Sequence, residues 1–242
     1  MPEMGLKMFL TVNGVELFYQ KTGQGRPIIL LHGNGEDHHV FDKVTQRLSQ
    51  RFTVYAVDSR DHGQSGRVTR LSYDDMAEDI IAMIKTLGLV RPALLGFSDG
   101  GIVGLMVAFR HPALLSMLIS CGPNASPKDL KRWFLAVIKA GYRFTKDSKL
   151  ALMLNEPKIT AKNLFNIQIP VLILAGECDI CTKRHFEWIA SNIPKGYLRV
   201  LRGETHSSYL KNGDRLSRMV FLFVQSVENT KRRVRKAEKD AL

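Results

Sequence analysis

The stretch Gly96-Phe97-Ser98-Asp99-Gly100 constrains this chain more than any other, because of what flanks it. Before it runs Arg91-Pro-Ala-Leu-Leu95, short and apolar, the pattern of a buried strand. After it runs Gly101-Ile-Val-Gly-Leu-Met-Val-Ala-Phe-Arg110, the pattern of a helix with small residues at its start. A strand that passes straight into a helix through Ser98 needs a sharp turn, and the flanking glycines remove the Cβ atoms that would collide there. G-x-S-x-G in this setting is the pattern of a nucleophile elbow. The helix N-terminus then offers free N–H groups beside the place where an oxyanion would form.

A serine hydroxyl is a weak nucleophile near neutral pH, so such an elbow needs a base, and the base needs an orienting acid. With this motif the expected chain order is serine, acid, histidine. Pro170-Val-Leu-Ile-Leu-Ala175 is a further strand pattern, ending in Gly176-Glu177-Cys178-Asp179. Tyr197-Leu-Arg-Val-Leu201 is a shorter one, ending in Gly203-Glu204-Thr205-His206. Asp179 and His206 are therefore expected just beyond strand ends, on the sheet edge that carries Ser98, where open α/β sheets bind ligands. Glu177 is the alternative acid, closer to its strand. The other histidines read as structural: His32 as holder of a turn, His111 at a helix end, His185 on a surface helix, and His38, His39 and His62 without the right chain order.

A third strand pattern, Pro27-Ile-Ile-Leu-Leu31, runs into His32-Gly33-Asn34-Gly35. Acyl transfer needs two N–H donors on the developing negative oxygen. The backbone of Asp99, the residue after the serine, is expected to supply one and Asn34 the other. The glycine spacing is not that of a nucleotide loop.

Taken together, His32–Gly35, Asp58-Ser-Arg-Asp-His-Gly-Gln-Ser-Gly66, Gly96–Gly101, Gly176–Asp179 and Gly203–His206 resemble the α/β-hydrolase family over residues 9–227. The resemblance implies an α/β fold, a mostly parallel, doubly wound, eight-stranded sheet with a short helical cap. The core would be residues 1–122 and 167–242, the cap residues 123–166. In the family the turn resembling Asp58–Gly66 uses its charges structurally. The Ser-Asp-Gly-Gly form of the elbow resembles a subset of small esterases, C–C-bond hydrolases and amino-acid-ester hydrolases of the valacyclovir-hydrolase type. In the last of these the acid after the serine holds a substrate ammonium, which makes the Asp99 side chain a candidate substrate ligand; its bland alternatives are a basic partner or exposure to water.

The pass along the chain gives strands near 8–13, 15–21, 27–32, 52–58, 92–96, 114–121, 170–175 and 197–202, with Asn13-Gly14 turning the first hairpin. Helices are expected near 37–49, 73–87, 99–110, 182–191 and 207–229. From 123 to 166 helical patterns occur without a strand between them. If this segment is a cap, Trp133, Phe134, Tyr142 and Phe144 are the candidates to roof a substrate pocket.

With 45% hydrophobic residues, 242 residues suffice for one core. No apolar run reaches the length of a membrane span, and Met1–Lys7 lacks a leader pattern. Three cysteines cannot form a disulfide framework; Cys178 and Cys181 read as reduced thiols beside the acid rather than a redox or zinc pair. A cytoplasmic location is the expectation. The net charge of +12 is concentrated in part in Lys231-Arg-Arg-Val-Arg-Lys236, which reads as a solvated helix end. The expected activity is metal-free and cofactor-free hydrolysis of small ester-like substrates, with no nucleic-acid or membrane partner. The alternatives are C–C or amide cleavage, or a slow-turnover ligand receptor on the same fold.

Overall fold

The computed structural model describes residues 5–240, excepting the side chains of 231 and 234–240. Met1–Met4, Ala241 and Leu242 thus lie outside the described residues, as do the side chains of 231 and 234–236 in the basic run. The chain opens with the hairpin β1 (Leu6–Val12) and β2 (Val15–Thr22). Asn13 and Gly14 turn it with φ of 46° and 75°, the left-handed pair that a two-residue turn requires. Then follow β3 (Arg26–Leu31), α1 (Asp42–Leu48), β4 (Phe52–Val57), α2 (Tyr73–Thr86), β5 (Ala93–Phe97), α3 (Asp99–Arg110) and β6 (Met117–Cys121). A segment with α4 (Arg132–Thr145), α5 (Ser148–Asn155) and α6 (Ala161–Phe165) precedes β7 (Val171–Cys178), α7 (Lys183–Ser191), β8 (Gly196–Thr205), α8 (Ser208–Lys211) and α9 (Gly213–Asp240).

The eight strands form one sheet in the order β1-β2-β4-β3-β5-β6-β7-β8, antiparallel at β1, β2 and β4 and parallel from β4 onward. The strand sequences explain this. In β3, Ile29 and Leu31 face one core cluster with α2, α3 and α7, while Ile28 and Leu30 face a second with α1 and α9. A strand buried on both faces is apolar at every position, unlike the alternating strand of a one-sided sheet. Leu94 and Leu95 split between the two clusters in the same way.

Beside β7 and β8, which run on to Cys178 and Thr205, and a 3-10 turn (His38–Phe41) that opens the expected helix 37–49, two elements differ from the sequence reading in extent or continuity. Residues 114–116 do not extend β6, because Leu114 closes a turn on His111 after α3. The expected helix 207–229 is broken at Asn212, which caps the start of the longer α9 by accepting the Arg215 N–H.

Candidate active site

Ser98 stands between β5 and α3 with φ 51° and ψ −113°, a strained conformation for a residue with a side chain. Its neighbours make the turn possible. A Cβ on Gly96 would lie 2.1 Å from the carbonyl oxygen of Gly100, and one on Gly100 would lie 2.1 Å from that of Leu31. The turn is locked by Ser98 N–H donating to Cys121 O (2.7 Å) and Gly100 N–H to His32 O (3.0 Å).

His206, beyond β8, stands between the two other expected residues. Its Nδ1 lies 2.7 Å from Asp179 Oδ1, and its Nε2 lies 3.1 Å from Ser98 Oγ. An ionised Asp179 only accepts, so Nδ1 carries the proton and Nε2 presents its lone pair to the hydroxyl. Asp179 is 1% exposed and also accepts from the N–H groups of Gly176 (3.1 Å) and Ile180 (2.7 Å). Glu177 is exposed and accepts from Gly203 N–H, away from the imidazole. Phe97 packs on the His206 ring at 4.9 Å between centroids. Ser98 is 9% exposed, Asp179 is sealed, and the imidazole is the more open of the three.

The His32–Gly35 loop is fixed by His32 itself. Ser59 N–H donates to its Nε2 (3.0 Å), so its Nδ1 carries the proton and donates to Gly33 O (2.8 Å). Burial depresses its pKa to about 4, which keeps this ring neutral at physiological pH. Glu36 accepts from Gly33 N–H (3.0 Å), and burial raises its pKa. The loop carries Asn34 beside Asp99, and among the described residues neither backbone N–H of the pair meets an internal acceptor.

The Asp99 side chain behaves differently from its sequence reading. It is 2% exposed; Oδ2 accepts from Asn34 Nδ2 (2.9 Å) and Oδ1 from the Tyr73 hydroxyl (2.8 Å). Among the described residues it has no basic partner within ion-pair distance, it is closed off from bulk water, and burial raises its pKa. Tyr73 was not legible as a site residue, since only the packing of α2 against α3 brings it there.

The four aromatic candidates separate. Phe134 and Tyr142 are half-buried on the inner side of α4, whereas Trp133 is 60% and Phe144 85% exposed on its outer side. These two do not line a pocket in this structure, because the helix turns them away from the core that Ile138 enters. His185, read as a surface residue, is buried: its ring stacks on Trp188 and faces Asp129 at 3.5 Å.

Three further residues shape the site. A Cβ on Gly122, at φ +62°, would lie 2.7 Å from His206 Cε1. Lys131 Nζ donates to Asp179 O (2.5 Å). Lys149 Nζ donates to Asp61 Oδ2 (2.9 Å), and its carbonyl accepts from Asn34 Nδ2 (3.2 Å). The signal for Gly122 was its place just after β6 on the ligand edge of the sheet; the two lysines gave none.

The Asp58–Gly66 turn is structural in its contacts. Asp58, 0% exposed, accepts from the backbone N–H (2.7 Å) and Nδ1 (2.8 Å) of His38 and from Gln64 N–H (2.9 Å). Arg60 forks onto Asp79 at 2.6 and 2.7 Å. Cys121, Cys178 and Cys181 are unpaired, and burial raises the Cys121 and Cys181 thiols far above the thiolate range. Asp37, His38 and His39 form the one group among the described residues with metal-ligand spacing, and its His38 Nδ1 is committed to Asp58. A cavity of about 990 Å³ among Arg26, Arg47, Arg51 and Phe221 lies along α9 and touches none of Ser98, Asp179 and His206. The site is marked by its polar geometry.

A sequence profile of the family described as "alpha/beta hydrolase fold" matches residues 26–147. This chain belongs to that family. It is an α/β-hydrolase, an enzyme of a family that includes hydrolases and esterases among this chain's relatives and structural neighbours. It is similar to "Serine hydrolase BPHL" of Homo sapiens, 28% identical over 250 residues that cover 89% of this chain and 85% of that protein. It is also similar to "Pimeloyl-[acyl-carrier protein] methyl ester esterase" of Aliivibrio fischeri (strain MJ11), 28% identical over 117 residues, 48% of this chain and 44% of that protein. In fold it matches an esterase from Rhodococcus sp. ECU1013 with a TM-score of 0.75 and 22% identity, covering 93% of this chain and all of that one (100%). Among the described residues no helix is long and apolar enough to cross a membrane.

Proposed function

We propose that this α/β-hydrolase cleaves carboxylic esters of small molecules through Ser98, His206 and Asp179. The observation that carries this reading is the position of His206, with one ring nitrogen at Asp179 and the other at Ser98. Ser98 Oγ attacks the ester carbonyl while His206 Nε2 takes its proton, and Asp179 holds the tautomer and balances the imidazolium. The backbone N–H groups of Asn34 and Asp99 bind the oxyanion; each such donor is worth about 3 kcal/mol in comparable sites. His206 then returns the proton to the leaving alcohol and activates the water that releases the acid. No step requires a cofactor.

The segment 123–166 acts as a short cap, with Phe134 and Tyr142 on its inner side as the acyl wall. The unpaired thiols support a reducing, cytoplasmic location. The test is p-nitrophenyl acetate hydrolysis by the wild type and Ser98→Ala. Sustained turnover that vanishes in the variant is expected. A single burst with no steady rate in the wild type would instead favour a slow-turnover receptor.

A further inference from the structure

Helix α4 (Arg132–Thr145) has three faces rather than two. At 3.6 residues per turn, successive side chains point about 100° apart. Phe134, Leu135 and Ile138 face inward, Ile138 fully buried and the other two packed against the core. Trp133, Val137, Ala140 and Phe144, spaced by four, three and four residues, fall on one outward stripe about 16 Å long. Trp133, Val137 and Phe144 are 60%, 61% and 85% exposed. Arg132, Lys139 and Arg143, with Lys146 at the C-terminal cap, form a second outward stripe beside it. No acidic residue occurs from Leu130 to Lys146, and the ion pairs nearby are made by Lys149 and His185 instead. Among the described residues the aromatic contacts of the two stripes are local, Trp133 edge-on to Phe134 and Lys146 over the Tyr142 ring, and none of Arg132, Lys139, Arg143 and Lys146 makes an ion pair.

We propose that α4 is a docking face for an anionic lipid surface. A helix that presents aromatic side chains next to a row of Lys and Arg lies in the plane of such a surface, its rings among the acyl chains and its cations at the headgroups. Lying on a bilayer is a different property from crossing one, so the lack of a spanning helix does not bear on it. A second copy of the chain fits less well. Two-fold pairing of α4 on itself would bring the two basic rows together with carboxylates only at the helix ends, Asp129 and Asp147.

The docking face is tied to the site at both ends. Before α4, Lys131 N–H donates to Ile180 O (2.8 Å) and Lys131 Nζ to Asp179 O. After it, Lys149 joins Asp61 and the Asn34 side chain. A surface under α4 would thus hold an ester carried in that surface close to Ser98, a consequence that rests on the ester reading above. Docking itself does not, and it is measured without turnover.

The test is co-sedimentation of the full chain with phosphatidylcholine vesicles, with and without about a third phosphatidylglycerol. Only the anionic vesicles should bind the wild type, less so as salt screens the contact. Binding should shift the fluorescence of Trp133, one of two tryptophans, to the blue. The double variant Trp133→Ser/Phe144→Ser should bind at least about tenfold more weakly. Arg132→Gln/Lys139→Gln/Arg143→Gln should lose about a hundredfold in preference for anionic vesicles. Both variants should hydrolyse a short soluble ester at the wild-type rate, which shows that they fold. The proposal is overturned if the wild type binds neither vesicle, if the variants bind as it does, or if sedimentation equilibrium finds a dimer that Trp133→Ser/Phe144→Ser dissolves.

Discussion

Gly122 lies so close beneath His206 that no side chain fits between them: a Cβ would stand 2.7 Å from Cε1 and 2.8 Å from Nδ1 of the imidazole. The residue follows β6, so the central sheet itself sets the height of the ring above Ser98. Its φ of +62° is a second reason for glycine. Gly122→Ala should therefore displace His206 and lower kcat by about 10- to 100-fold, since small misplacements of a reacting group carry that cost. Its unfolding free energy should fall by about 1 kcal/mol or more from the backbone conformation alone. Steady-state kinetics beside thermal unfolding separates the two effects; an unchanged kcat would show that the ring is positioned by Asp179 alone.

The buried Asp99 carboxylate makes stability depend on pH in a defined sense. Burial raises its folded-state pKa above the ordinary value of 3.8, so the folded protein holds the proton more tightly than the unfolded chain. Stability is then highest at low pH on this account and falls as pH rises from 3.8 through the raised value. Asp99→Asn removes that dependence. The variant's melting temperature relative to wild type should rise between pH 4 and 8, whatever constant offset comes from re-pairing Asn34 and Tyr73. A difference that stays flat with pH would mean that Asp99 is not the group responsible.

The contact between Lys149 and Asp61 has the opposite sign. Burial opposes the Asp61 charge, yet the hydrogen bonds from Lys149 and Ser148 outweigh it and hold the carboxyl below its ordinary value of 3.8. This contribution is present above 3.8 and is lost as pH falls through the lowered value. Lys149→Met at neutral pH should cost about 1 kcal/mol and speed hydrogen exchange in α5. Unaltered exchange there would show that α5 is held by its apolar contacts alone.

Phe134 offers a test of the acyl wall. Phe134→Ala should change the preference among ester chain lengths, because each methylene in an apolar pocket is worth about 1–3 kcal/mol. Rates with acetate esters should change little. An unaltered length profile would assign the ring to core packing.

How much of this was legible in the sequence follows a physical line. Ser98, Asp179 and His206 could be read because each ends a strand, and parallel strands deliver their ends to one edge. The sheet could be read because strands buried on both faces are uninterrupted apolar runs. Tyr73, Lys131 and Lys149 could not, since their roles come from contacts between elements far apart in the chain, and Gly122 left only its place just after a strand on that edge. The outward turn of Trp133 and Phe144 was also hidden. A helix with an apolar face on each side gives the same residues as one deeply buried helix, and only packing tells them apart.

Single substitutions at Ser98, His206 and Asp179 should each remove most activity, and double variants little more than the worst single one, as expected of residues that act as a unit. The most direct measurement is covalent. A fluorophosphonate should label the wild type at one residue, and peptide mapping should find the adduct on Ser98, with labelling slowed in His206→Ala and absent in Ser98→Ala. An adduct on another serine, with Ser98→Ala still hydrolysing esters, would contradict the assignment.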